Sequence, residues 1–224
     1  MNKDMGMRYG SDYHYLPVTS IKSGDGQEAA SDLLSLTVQI VNVCFLGDPI
    51  RGSWVLVDAG MPHCADAIIT AAENRFGANR PPQGIVLTHG HFDHVGAIIE
   101  LVRYWDVQVF AHERELPYLT GKKAYLPPDP TVEGGLLAKM SFLYPNEPID
   151  IRGCVRAISP GGTIPILPDW RWIHTPGHTP GHISLFRDSD RLLIAGDAFV
   201  TVNQESVYKV FMQESEISGP PKYF

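Results

Sequence analysis

Apolar and polar positions alternate along Leu36-Thr-Val-Gln-Ile-Val-Asn-Val-Cys-Phe well enough to predict a β-strand. Gly47-Asp48-Pro49 breaks the run as a turn, and residues 53–58 return as a second strand. The next periodicity, residues 62–76, is helical; proline is tolerated in its first turn and Gly77 is its stop. Pro81-Pro82 then separates it from an apolar strand at 84–88. A helical pattern at 96–104 gives way to a short strand at 107–110, and His112 opens what reads as a short surface helix. Later apolar runs predict strands at 170–174, 183–186 and 192–195. Strands alternating with helices define an α/β pattern.

Two stretches lack this regularity. Residues 1–30 show no sustained periodicity; they read as an arm whose Tyr9, Tyr13, Tyr15 and Leu16 pack somewhere, with a turn at Ser23-Gly24-Asp25-Gly26. Residues 117–150 carry six prolines and Gly134-Gly135, which forbid long regular elements. Their apolar side chains, Tyr118, Tyr125, Leu136 and Tyr144 among them, argue against disorder. A long loop of this kind reads as a lid or pocket wall with a short helix near 136–142, a dimer contact being the competing use.

Composition narrows the picture. The 224 residues, 44% hydrophobic and 19% charged, suit a single soluble domain, 1–224. No apolar run approaches the ~20 residues of a membrane span. The charged, glycine-containing start lacks the apolar middle of a signal peptide, so the expected compartment is the cytoplasm. A net charge of −7 without a basic cluster argues against nucleic acid as partner, leaving a small-molecule substrate, with a homodimer possible. Cys44, Cys64 and Cys154 have no CxxC spacing and read as buried free thiols.

The chemistry is concentrated in THGHFDHVG, residues 88–96, where His89, His91, Asp93 and His94 fall within six positions. Histidine and aspartate are poor core fillers, and together they suit zinc and its transition-metal neighbours. In an extended loop His89 and His91 point to one side and can share an ion, whereas Asp93 and His94, turned into the helix, aim elsewhere and could hold a second. Asp58, at the end of VLVDAG, is either a turn residue or a carboxylate that orients a metal-binding loop. TPGHTPGH at 175–182 sets His178 and His182 four apart, and its prolines and glycines make a helix there improbable. A turn of this kind presents one imidazole to a site and leaves the other, like His174 before it, to other work. Asp197 follows the apolar strand 192–195 in the Gly-Asp pair.

His-x-His-x-Asp-His after a strand, followed by TPGH and then GD, resembles the metallo-β-lactamase superfamily. The resemblance implies an αββα sandwich, two mixed sheets packed face to face with helices outside. It implies that His178 completes the first metal group with His89 and His91, that Asp197 is the bridging aspartate, that His182 supports the loop, and that Asp58 takes its orienting role. The family pattern calls for one more histidine after that aspartate, and none follows His182. The C-terminal part is therefore expected to be incomplete, with SGPPKYF leading to a further element. The second ion, held by Asp93, His94 and Asp197, would then be weakly bound or absent. The implied activity is a metal-dependent hydrolase, with one or two zinc ions (alternatively iron or manganese) activating water against an ester, thioester, lactone or amide. Asp93 orients the nucleophile and carries the proton. The alternatives are a mononuclear iron oxygenase of the same fold and a truncated, non-catalytic metal-binding member.

Overall fold

The computed structural model describes residues 6–10, 18–131 and 135–220. Seven strands form the first sheet in sequence order: β1 (Gly26–Ala30), β2 (Leu33–Val38), β3 (Val41–Leu46), β4 (Val55–Val57), β5 (Ile85–Val86), β6 (Val109–Ala111) and β7 (Val155–Ala157). The first four pair antiparallel and the last four parallel, so β4 belongs to both modes and the sheet is mixed. A second, antiparallel sheet orders β11 (Leu192–Ile194), β10 (Ile183–Arg187), β9 (Leu167–His174) and β8 (Thr163–Ile164).

Alternation along the first sheet divides the core. Leu36, Val43, Phe45, Leu56 and Ile85 face helices α1 (Ala65–Phe76) and α3 (Ile98–Trp105), where Trp54 stacks on Phe76 at 4.6 Å and meets Trp105 edge-on at 5.5 Å. Leu33, Leu46, Val55, Val57 and Val86 face the second sheet through Leu167, Trp170, Ile183 and Leu185. Helix, sheet, sheet is thus built from a period of two in β4 and β5 and a period near 3.6 in α1 and α3. Among the described residues no helix is long and apolar enough to cross a membrane.

Several expectations need correction. The run starting at Leu36 is two strands, because Gln39 takes a left-handed φ of 57° and the chain reverses at Gln39-Ile40. Alternation survives such a two-residue turn, so the pattern cannot separate one long strand from a hairpin. Helix α1 begins only at Ala65, since His63 has φ 64° and breaks the first turn. The helix expected at 96–104 is α3, and a separate short helix, α2 (Phe92–Val95), precedes it inside the motif. His112 is buried; its ring lies parallel to His174 at 4.5 Å and accepts a hydrogen bond from Arg114 N–H.

In the arm, the Tyr9 hydroxyl lies 2.6 Å from both the Gly96 carbonyl and Glu100, while Tyr13, Tyr15 and Leu16 fall outside the described residues. Residues 117–150 contain α4 (Leu116–Leu119) at their start and α5 (Gly135–Met140), the short helix expected there. Beyond Asp197, where no element was expected, β12 (Val200–Val202) and β13 (Ser215–Ser218) pair around α6 (Val207–Met212). The last residues of SGPPKYF lie outside the described ones.

Candidate metal centre

The β5 strand ends inside the core, so Thr88 and His89 are wholly buried when the chain turns into α2. Asp58, ending the neighbouring β4, takes a left-handed φ of 63° that turns its carboxylate toward this loop. Its oxygens accept from Thr88 N–H at 2.7 Å and Thr88 Oγ1 at 2.8 Å, and pair with His94 Nδ1 at 2.8 Å. The carboxylate thereby fixes the direction of the His94 ring and leaves Nε2 facing inward.

The second sheet brings the other half. His178 rides on the β9–β10 turn, and its Nε2 lies 2.9 Å from His91 Nδ1. Asp197 follows β11, with one carboxylate oxygen 3.4 Å from His178 Nε2 and the other 3.5 Å from His94 Nε2. His182 is spent on support: Nδ1 contacts Thr175 Oγ1 at 2.8 Å, and Nε2 accepts the Asp197 N–H at 2.9 Å. His174 lies apart, its Nε2 3.0 Å from the Pro180 carbonyl.

These contacts create two overlapping groups whose donor atoms lie within 4.8 Å of one another: His89, His91 and His178, and His89, His94 and Asp197. The division differs from the expected one. The turn into α2 brings the His94 ring to 4.1 Å from that of His89, so His89 serves both groups. Asp93, partly exposed, joins neither; its nearest oxygen is 3.9 Å from His94 Nε2.

The donor set fits a metal ion. His89 Nδ1 meets Thr88 Oγ1 at 3.1 Å, and its Nε2 is buried with no hydrogen-bond partner among the described residues, an arrangement that is costly unless something else satisfies it. An ion with bonds of 2.0–2.1 Å spaces tetrahedral donors roughly 3.3 Å apart, close to the contacts among His91, His178, His94 and Asp197.

Electrostatics sort the rings. Burial, then the neighbouring imidazoles, holds His89 and His91 well below the usual histidine range, and burial lowers His178 too. These rings are neutral, the form that binds metal. His94 is opposite: burial would lower it, but Asp58, Asp197 and Asp93 raise it well above the ordinary value. Burial alone would lift Asp197, yet the His94 charge holds its carboxyl far below the usual range. Asp93 is pushed up to about 6, chiefly by burial.

Sequence reasoning missed Thr88, Thr175, Tyr125 and Glu115 around these loops. The first two are small hydroxyl residues whose partners are visible only once the strands pair. Glu115 sits in the charged run HERE, which reads as a solvated face, and yet it is wholly buried.

Fold and donor set agree with the comparisons. The sequence model of the Metallo-beta-lactamase superfamily matches residues 36–222, and the chain belongs to that superfamily. It is 53% identical over 211 residues to "Probable metallo-hydrolase YflN" of Bacillus subtilis (strain 168), covering 94% of this chain and 80% of that one. To "Probable metallo-hydrolase YybB" of the same organism it is 33% identical over 153 residues, spanning 67% of this chain and 59% of the relative. Among solved structures, the Rm3 metallo-beta-lactamase superposes with a TM-score of 0.53 at 25% identity, covering 76% of this chain and 62% of its own. The protein is a metallo-hydrolase of this superfamily.

Proposed function

We propose that the chain hydrolyses an ester, thioester, lactone or amide of a small molecule, using zinc held by His89, His91 and His178, with Asp197 and His94 completing a second position. The observation that carries this reading is the meeting of two distant turns: His178 and Asp197 of the second sheet stand within 3.5 Å of His91 and His94 of the first. When bound, divalent ions lower the pKa of water toward ~7 and polarise the oxygen of the group under attack.

The chain's own residues do the rest. Asp58 and His182 hold His94 and Asp197 in place, the former through Nδ1 and the latter through its backbone N–H. Asp93, with a carboxyl near 6, stands beside the donors where it can accept a proton and return it to a departing atom. A cavity of about 380 Å³ opens beside these groups, lined by Leu33, Val57, Tyr144, Ile194 and Phe199, with Asn42 as a polar partner. That volume suits a small ligand. None of its described lining residues is Lys or Arg, whereas Asp58, Asp93 and Asp197 all border it. The positive charge that a substrate would meet there is therefore the metal's own.

The test removes metal with a chelator and restores zinc against a panel of neutral and carboxylated esters, thioesters and lactones. Hydrolysis of the members that are turned over should vanish and return, and His91→Ala should abolish it. Turnover that is indifferent to chelator and to His91→Ala would reject the reading. A second reading rests on the trio His89, His94 and Asp197, two histidines and a carboxylate, a set that also suits non-haem ferrous iron. Metal analysis after air-free purification separates the two: zinc supports the hydrolase, iron with oxygen consumption the oxygenase.

A further inference from the structure

Glu115 is the most deeply buried acid outside the metal-donor groups, with no exposed surface. Four donors from three segments converge on its two oxygens. Oε2 accepts the Gly90 N–H at 3.0 Å and the Tyr125 hydroxyl. Oε1 accepts Thr179 Oγ1 at 2.8 Å and the Gly181 N–H at 2.7 Å. Gly90 separates His89 from His91; Thr179 and Gly181 follow His178. One carboxylate therefore ties the histidine turn of the first sheet to that of the second.

Two independent features match this arrangement. The first is glycine where Glu115 approaches. A Cβ on Gly181 would stand 2.8 Å from Glu115 Oε1, and one on Gly90 would meet the Tyr125 hydroxyl at 2.5 Å. Neither loop could come this close to the carboxylate with a side chain at those positions. The second is Tyr125 itself, in the 117–150 segment. Besides its bond to Glu115, its ring packs edge-on against His91 at 4.4 Å and lies flat on Tyr118 at 3.9 Å.

We propose that Glu115 is a positioning residue that locks the two histidine turns together, holding His91 and His178 at chelating separation before an ion arrives, and that Tyr125 joins the 117–150 segment to the same lock. The proposal rests on the metal-binding reading above. The carboxylate makes its four hydrogen bonds within the protein, so its work is structural tension between loops rather than proton transfer. An oxygen pair is required, because both turns offer donors. Glutamine supplies one oxygen and one amino group, and whichever way it turns the amino group faces a backbone N–H that cannot accept, Gly90's or Gly181's, releasing one loop.

The experiment titrates the metal-free full chain with zinc alone, and with cobalt(II) for its visible spectrum, in the native protein and in Glu115→Gln. Circular dichroism establishes that each is folded. Folded Glu115→Gln should bind zinc about 10- to 100-fold more weakly and give an altered cobalt(II) spectrum. Tyr125→Phe and Thr179→Val, each deleting one donor, should weaken zinc severalfold. A folded Glu115→Gln with native affinity and an unchanged spectrum would overturn the proposal. If Glu115→Gln does not fold, native affinity in both single-donor variants overturns it and weakened affinity upholds it. A native chain that takes up neither ion instead sinks the metal-binding reading, and the positioning role falls with it.

Discussion

The two histidine turns are held by opposite means. Residues 88–96 are fastened within their own half of the molecule: Asp58 grips Thr88 and His94, and the following backbone bonds back to the 58–60 turn through Ala59 N–H to the His94 carbonyl and Gly96 N–H to the Gly60 carbonyl. Residues 175–182 form a proline-glycine turn in which Pro176 and Gly177 are exposed and Gly177 takes a φ of 148°. They are captured from outside, by Glu115 and by the Thr88 carbonyl, which accepts the Ile183 N–H at 3.0 Å. One turn is therefore placed by its flanking strand and helix, and the other only once the two sheets have packed. The exposed tip of the second turn, Pro176-Gly177, belongs at the low-stability end of the molecule.

Removing a histidine from each turn breaks this comparison most sharply. His89 contributes to both donor groups and His178 to one. His89→Ala should cost well over ~100-fold in zinc affinity, beyond what losing an outer partner costs, and leave the purified chain nearly metal-free. His178→Ala keeps the trio His89, His94 and Asp197 and should retain about one weakly held ion. Elemental analysis after dialysis decides it. Equal metal content in the two variants would mean that the two turns contribute alike.

Much of this was legible beforehand, for a physical reason. HGHFDH concentrates residue types that cores reject, and the apolar strand before it and helix after it fix where it sits. TPGHTPGH was legible only in part. Its two halves are identical as text; the family resemblance gives their histidines different work, and the β9–β10 pairing separates them in space. His182, whose carbonyl accepts the Thr175 N–H at 2.9 Å, is turned to Thr175 and Asp197, whereas His178 projects from the turn toward His91. Glu115 and His112 lie in a charged run, the pattern of a solvated face; their burial depends on loops arriving from far along the chain. The 200–218 elements were invisible because Tyr208, Phe211 and Ile217 are exposed and leave no clean periodicity.

A change behind each turn sharpens the contrast at the next level of effect. Asp58→Asn removes a buried carboxylate that faces three donors of the first turn. It should lower zinc affinity by about 10- to 100-fold and unfolding free energy by about 1–3 kcal/mol, read from a zinc titration and a urea melt. Thr175→Val removes a partner of His182 in the second turn, where the surrounding half-exposed loop can adjust. It should reduce amide protection locally, around residues 176–182, with little change in the urea midpoint. A global loss from Thr175→Val as large as that from Asp58→Asn would erase the distinction between a turn built in and a turn captured.

The gentlest probe is pH, because it acts on the two donor groups with opposite leverage. His89, His91 and His178 are held low, so between pH 8 and pH 7 they are largely neutral and offer an incoming ion little proton to displace. His94 is held high by Asp58, Asp197 and Asp93, so in the metal-free chain it is protonated through the same interval. Zinc that takes His94 Nε2 must expel that proton, and the affinity for that step falls as pH falls, by about tenfold per unit. Calorimetric zinc titrations in buffers of different ionisation enthalpy should therefore show one uptake step releasing about one proton more per ion than the other. Between pH 8 and pH 7 the first should weaken more steeply than the second, by about tenfold more per unit. Two steps with the same proton count would mean that His94 does not distinguish the groups, and that the neighbouring carboxylates do not hold its charge in place.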